Sequence, residues 1–283
     1  MRTIVVLMAA MSLGAGCAMT APQFRQPRTE ASLSLRRAIV EPADIERAIT
    51  TKGRIEKLRK TPPALGEPWF ESRSGTQQVI VSAPHATKPF RDGKYRFSDG
   101  PGTAALAQSL HTICGVSVIN TIRDSPSDPN YYDDNDYKRE LARLIAEQRP
   151  ALVLDIHGSH PSRPYDVDFG TMDGAYLLGQ EELVASLAAH LREEGLTNLS
   201  DNRFAASEND TITKFASRLH VPAIQLEISA TWLEPSRGCD AANPSICGGL
   251  GSHRFAQLLQ GLIRYLEDRG QCARERKSSG DDP

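Results

Sequence analysis

The chain is predicted to be α/β, a three-layer sandwich with a mainly parallel or mixed central sheet. Three observations carry that expectation. Several short runs are apolar throughout instead of alternating, as strands covered on both faces require. Longer stretches with helical spacing of apolar residues separate them. The 283 residues, 40% of them hydrophobic, suffice for one large core or two small ones.

The elements follow in order. Glu41-Pro42-Ala43-Asp44 opens a helix to about residue 60, with acids early and bases late, as the helix dipole favours. Thr61-Pro62-Pro63 ends it. Residues 77–83 read as a buried strand, 102–112 as a helix and 116–122 as a second strand. A helix is expected over 134–147, with Leu141, Leu144 and Ile145 on one side. Residues 151–156 form the third apolar strand and 223–228 the last. Helices are expected over 181–194, 211–219 and 253–268. No internal repeat is visible. A single catalytic domain is expected over residues 41–272, and the charged, small residues 273–283 read as a disordered tail.

The net charge is −2 with histidine neutral, and no lysine- or arginine-rich block stands out. That composition argues against a nucleic-acid partner. The N-terminus is more telling. Arg2, an apolar stretch over 4–15 and the small residues before Cys17 describe an export signal over residues 1–17. The stretch is short for a membrane span. Leu13-Gly14-Ala15-Gly16-Cys17 resembles a bacterial lipobox, with Cys17 as the lipid-modified residue. The other reading is a signal that is simply cleaved. Polar residues 18–40 read as a linker. The expected location is the periplasm or cell envelope, with a lipid anchor at Cys17 holding the protein to a membrane.

Export permits disulfides. Besides Cys17 there are four cysteines. Cys239 and Cys247 flank a short loop and are placed to pair; Cys114 and Cys272 are either the second pair or buried thiols. Sequence does not choose among the three connectivities. No Cys-x-x-Cys pattern occurs, which argues against a cysteine zinc knuckle.

Ligands of open parallel sheets gather beyond the carboxyl ends of the strands. After the first predicted strand comes Pro84-His85-Ala86-Thr87, and after the third His157-Gly158-Ser159-His160. Glu227 lies within the last. Histidines and acids thus converge on one edge of the sheet. That is the donor set for metal-assisted hydrolysis: imidazole and carboxylate ligands, and a further carboxylate to move protons. No Gly-x-Ser-x-Gly elbow is present, so a serine nucleophile finds no support.

Five motifs in order carry a family resemblance: Ser82-Ala83-Pro84-His85-Ala86-Thr87, Asp99-Gly100-Pro101-Gly102-Thr103, Asp128-Pro129-Asn130-Tyr131, Leu154-Asp155-Ile156-His157-Gly158 and Ile224-Gln225-Leu226-Glu227-Ile228. Together they look like the N-formylglutamate amidohydrolase family, which is similar in fold to zinc carboxypeptidases and poly-γ-glutamate hydrolases. The resemblance spans roughly residues 77–265 and implies a zinc-carboxypeptidase-like fold with one Zn2+ per chain. It implies His85, Asp99 and His157 as metal ligands and Glu227 as catalytic acid/base. The position three residues after His85, a glutamate in zinc carboxypeptidases, is Lys88 here. The acid before the Pro-Gly-Thr sequence, Asp99, takes the ligand role instead, with Glu208 as the alternative. Asn130, Arg123 and Arg163 are the substrate-binding candidates, the arginines for a carboxylate or an oxyanion. Asp155 is expected to support a ligand or an arginine from behind.

Structural readings stand beside these. Asp99 is also placed to cap the helix that follows. His160 reads as a loop or outer residue, and His111, His190, His220 and His253 as structural. Asp133, Asp134 and Asp136 read as helix N-terminal charge. The expected activity is metal-dependent hydrolysis of a linear amide in an N-acyl or N-formyl amino acid or a γ-glutamyl compound. The alternatives are a cell-wall amidase or carboxypeptidase, whose substrate the envelope puts within reach, and a metal-free binding protein on the same scaffold.

Overall fold

Four runs buried on both faces become four adjacent parallel strands. They are β2 (Val79–Ala83), β5 (Ser117–Thr121), β6 (Leu152–Ser159) and β9 (Ala223–Ser229), side by side in the order β5-β2-β6-β9. The structure, a computed structural model, describes residues 37–61, 66–236 and 250–272. The expected export segment with Cys17, nearly all of the linker, the Cys239–Cys247 loop and the tail lie outside the described residues.

Three further strands extend the sheet to seven. β1 (Phe70–Arg73) adds antiparallel to β5; β7 (Val167–Gly170) adds antiparallel to β9; β8 (Leu199–Asp201) lies parallel to β7. These escape sequence reading because each is only three or four residues long, too short to show a period. A separate hairpin, β3 (Phe90–Arg91) and β4 (Lys94–Tyr95), stands between β2 and the next helix.

Helices cover both faces, which meets the three-layer expectation. α2 (Pro101–Cys114), α4 (Glu182–Glu193) and α6 (Leu250–Asp268) pack on one face, with α1 (Pro42–Leu58) outside α2. That face is apolar along its length: Val79, Val81, Leu152, Leu154, Ile156, Ile224, Leu226 and Ile228 all join one core. α3 (Asp136–Gln148) and α5 (Ile212–Arg218) cover the other face through Leu141, Leu144, Ile212 and Ala216, against Ile80, Ile119, Val153 and Ala223. Each such leucine contributes about 1.5–3 kcal/mol on burial. Further along these same strands that face turns polar, with Ser82, Asp155, His157, Gln225 and Glu227.

Local chemistry sets the helix ends. Asn135 accepts from the Lys138 amide and starts α3; Thr211 accepts from the Lys214 amide and starts α5. α3 stops where Arg149 takes a left-handed conformation before Pro150. Cys114 at the end of α2 is bonded to Cys272 beyond α6, closing a separation of 158 residues. Among the described residues no helix is long and apolar enough to cross a membrane.

Candidate metal centre

The strand order reverses at β2: the chain leaves β2 for β5 on one side and later returns to β6 on the other. A crevice opens at such a switch point, at the carboxyl ends of the strands. His85, two residues past β2, and His157, inside β6, stand on its two sides. β6 does not end at Ile156 as its apolar run predicts; it continues through His157 to Ser159, held by β9 in register His157↔Glu227.

The third member arrives by way of the hairpin. After β4 the chain returns so closely that the Asp99 amide donates to the His85 carbonyl at 2.8 Å. Gly100 then adopts φ 94, a conformation that suits glycine, and Pro101 begins α2. Asp99 makes no capping bond to that helix. Its carboxylate turns to the histidines: Oδ2 lies 2.8 Å from His157 Nδ1 and 3.8 Å from His85 Nδ1. The ring centroids of His85 and His157 are 4.9 Å apart, edge to face. One ligand atom from each of His85, Asp99 and His157 falls within 4.8 Å of the others.

Each histidine has a carboxylate behind it. His85 Nε2 is 2.7 Å from Asp128 Oδ1, and His157 Nε2 is 3.1 Å from Asp155 Oδ2. Both rings therefore turn Nδ1 toward Asp99. Asp128 and Asp155 are almost wholly buried. Such backing fixes ring orientation and raises ligand basicity, and it is what metal-binding histidines characteristically have. Two imidazole nitrogens and one carboxylate oxygen form a set that suits zinc or a similar divalent ion. The residues present fit such an ion.

The charges are balanced by these contacts. Burial would lower the His157 pKa, but Asp155 and Asp99 outweigh it and hold the imidazole well above its ordinary value. Burial would raise Asp128; His85, the Asn130 amide and Arg91 outweigh it and hold that carboxyl below its ordinary value. Glu227 differs. Burial pushes its carboxyl up to about 7; the histidines oppose the rise and Asp99 and Asp155 add to it. Its one side-chain hydrogen bond among the described residues comes from Gln225 Nε2 to Oε1, at 3.0 Å.

Gly158, next to His157, is a matter of space. A Cβ there would meet the Asp99 carbonyl oxygen at 2.9 Å and Asp99 Cβ at 3.1 Å. Only a residue without one lets Asp99 approach β6.

The other sequence candidates lie elsewhere or are occupied. Arg123 is engaged away from the cluster: its guanidinium donates to the Thr61 carbonyl at 2.9 Å and to Glu67 at 2.8 Å, tying down the chain after α1. Asn130 is likewise engaged, since Oδ1 accepts from the Ile212 amide at 2.8 Å and holds the start of α5. Arg163 is exposed and lies over the Phe204 ring at 4.5 Å. Glu208 is exposed and does not belong to the His85–Asp99–His157 group. Asp155 stands behind His157, not an arginine. His160 is an exposed loop residue bonded to Ser162, and His111 bonds the Val116 carbonyl. Asp133 pairs with Lys138 and Arg218 and joins α3 to α5. The residues that sequence reasoning missed are Asp128 and Gln225. Both sit inside the quoted motifs, two positions from a chosen residue; an amide in an otherwise apolar strand was the signal available for Gln225, whereas Asp128 lies in a loop, where an acid is ordinary.

No protein-family model matches the chain, and no curated protein matches it. Solved structures resemble it in fold. N-formylglutamate amidohydrolase from Ralstonia eutropha JMP134 matches with TM-score 0.47 and 14% identity, over 71% of this chain and 98% of that one. A bacteriophage poly-γ-glutamate hydrolase matches with TM-score 0.43 and 16% identity, over 75% and 96%. A metallo-carboxypeptidase from Burkholderia cenocepacia matches with TM-score 0.41 and 12% identity, over 78% and 69%. These are likenesses of chain fold.

Proposed function

We propose that the chain is an exported, metal-dependent hydrolase of linear amide bonds, acting on an N-acyl or N-formyl amino acid or a γ-glutamyl compound. The observation that carries this reading is the convergence of His85, Asp99 and His157, each histidine backed by its own buried carboxylate, beside a glutamate with a raised pKa. These three residues would hold one divalent ion, zinc first, which makes water acidic enough to attack and polarises the substrate carbonyl. Asp128 and Asp155 hold the rings in place. Glu227 takes the proton of the attacking water on the oxygen that Gln225 leaves unbonded, and returns it to the departing nitrogen.

An envelope location accords with the export signal and with the Cys114–Cys272 disulfide, which an oxidising compartment preserves. Anchoring at Cys17 would keep the enzyme at a membrane. The same location favours a second reading, hydrolysis of an amide in cell-wall peptides.

The test is metal analysis joined to turnover. Purified protein is expected to hold one zinc per chain and to release amine from N-formyl-L-glutamate, N-acetyl-L-glutamate or a γ-glutamyl dipeptide. His157→Ala should lose both metal and turnover. Glu227→Gln should keep the metal and lose about 10²–10⁴-fold in rate, the usual contribution of a positioned acid/base. Turnover of muropeptides alone would select the second reading. Equal activity in chelator-treated protein, or in Glu227→Gln, overturns the mechanism.

A further inference from the structure

Between His85 and Asp99 the chain inserts the β3–β4 hairpin with its flanks. Segment 88–98 carries Lys88, Arg91, Lys94 and Arg96 against the single acid Asp92, on a chain whose net charge is −2. Arg91 lies 3.5 Å from Asp128, but Lys88, Lys94 and Arg96 have no ion-pair partner among the described residues. The same segment exposes its aromatic rings. Phe97 is 97% exposed and Tyr95 52%, and neighbouring Tyr132 is 38% exposed. Large apolar side chains gathered at a surface mark a place where something binds.

The hairpin is braced. The Lys88 amide donates to Asp124 Oδ1 at 3.1 Å and the Phe90 amide to the Ser125 carbonyl at 3.1 Å. Phe90 packs edge-on against Tyr95 at 5.2 Å, and the Arg91 guanidinium lies over Tyr131 at 4.8 Å. A surface already ordered gives up little entropy on binding. It also adjoins the cluster. Phe97 precedes Asp99 by two residues, so their Cα atoms are at most about 7 Å apart.

We propose that this hairpin docks an extended anionic part of the substrate, a peptide-like chain bearing successive carboxylates beyond the scissile amide. The inference rests on the hydrolase reading above and adds to it a substrate larger and more acidic than one N-acyl amino acid. Lys88, Lys94 and Arg96 supply the complementary charge, and Phe97 and Tyr95 supply apolar faces for the intervening methylenes. An anionic lipid surface has similar chemistry. Adjacency favours the substrate, because Phe97 lies two residues from Asp99 and the hairpin therefore borders the His85–Asp99–His157 cluster.

The test uses the full-length, zinc-loaded protein and two labelled peptides capped at both ends, hexaglutamate and hexaglutamine, with binding read by fluorescence anisotropy. Wild type is expected to prefer hexaglutamate, and the preference should shrink with added salt. Lys94→Gln with Arg96→Gln should cut that preference about tenfold, as the loss of two modest ion-pair contributions implies. Phe97→Ser should weaken both peptides. Zinc content and melting temperature check that the variants fold. Equal binding of the two peptides, or undiminished preference in the charge variant, overturns the proposal. So does a charge variant that loses only binding to phosphatidylglycerol vesicles, which would make the hairpin a membrane seat. If wild type hydrolyses no amide yet hexaglutamate still follows the hairpin charges, the hydrolase reading falls and the docking surface stands. If amides are hydrolysed and the peptide ignores the hairpin, the reverse holds.

Discussion

Gly158→Ala tests whether the close approach of Asp99 to β6 builds the metal centre. The new Cβ would lie 2.9 Å from the Asp99 carbonyl oxygen, 3.1 Å from Asp99 Cβ and 3.2 Å from Leu233 Cδ1. A relaxed contact needs about 3.5 Å, so Asp99 must retreat by roughly half an ångström. The Leu233 methyl can turn aside. The Asp99 backbone cannot easily do so, because its amide is bonded to the His85 carbonyl and α2 begins two residues later. Half an ångström is about the tolerance within which such a constellation keeps its function. Zinc affinity should therefore fall about ten- to a hundredfold, or roughly 1.4–2.7 kcal/mol. Overpacking should also cost about 1–3 kcal/mol of stability.

The assay is zinc competition against a chromophoric chelator, paired with thermal unfolding. Gly53→Ala is the control. That glycine lies within α1 with nothing within 4 Å of an added Cβ. Alanine there should raise stability by about 0.5–1 kcal/mol and leave zinc affinity alone. If Gly158→Ala bound zinc as tightly as wild type, Asp99 would not be a ligand held by this contact.

Further expectations follow from other contacts. Asp128→Asn removes the carboxylate behind His85 and should weaken zinc about 10–100-fold, measured by the same competition. Gln225→Leu frees Glu227 Oε1 and should lower kcat with little change in KM; an unchanged kcat would show that the amide does not position Glu227. Replacing Cys114 and Cys272 by serine should lower stability by up to about 5 kcal/mol in denaturant unfolding, since the crosslink closes a long loop. Asp133→Asn should destabilise at neutral pH, because Lys138, 1% exposed, loses its carboxylate partner. Burial would raise the Asp133 pKa, but Lys138 and Arg218 outweigh it and hold it below 3.8. Its stabilisation is thus present above pH 3.8 and fades as pH falls through the lower folded value, so wild type and variant melting temperatures should converge in strong acid.

The parallel core was legible because its strands announce themselves. A strand buried on both faces must be apolar at every position, and β2, β6 and β9 are so until a polar residue interrupts them. The interruptions, Asp155, His157 and Glu227, were legible for the same reason: each is costly in such a strand without a partner. Asp99 was harder. Thirteen residues, the hairpin among them, part it from His85, and only the return of the chain, seen in the Asp99 amide on the His85 carbonyl, brings them together. The engagement of Arg123 was not legible because a cation just past a strand looks free in sequence; its partners, Thr61 and Glu67, come from a distant segment. β7 and β8 were illegible because four and three residues give no period to read.

The sheet itself separates the carboxylates by role. His157, Glu227 and Asp168 stand in one row across β6, β9 and β7, so Glu227 and Asp168 are direct cross-strand neighbours. Two like charges placed so would repel. Asp168 is buried but fully engaged: Ser200 Oγ donates to it at 2.6 Å, the Phe204 amide at 2.9 Å and the Arg203 amide at 3.2 Å. Those donors stabilise its charge and fix the turn after β8. Glu227 has one amide and a site to face, and its pKa rises. Environment therefore engages one carboxylate fully and leaves the other with a single hydrogen-bond donor, as the proton-transfer role proposed for Glu227 requires. It follows that Asp168→Asn should disturb the 200–204 turn and lower stability, whereas Glu227→Gln should lower the rate and leave the turn alone, with bound zinc kept in both.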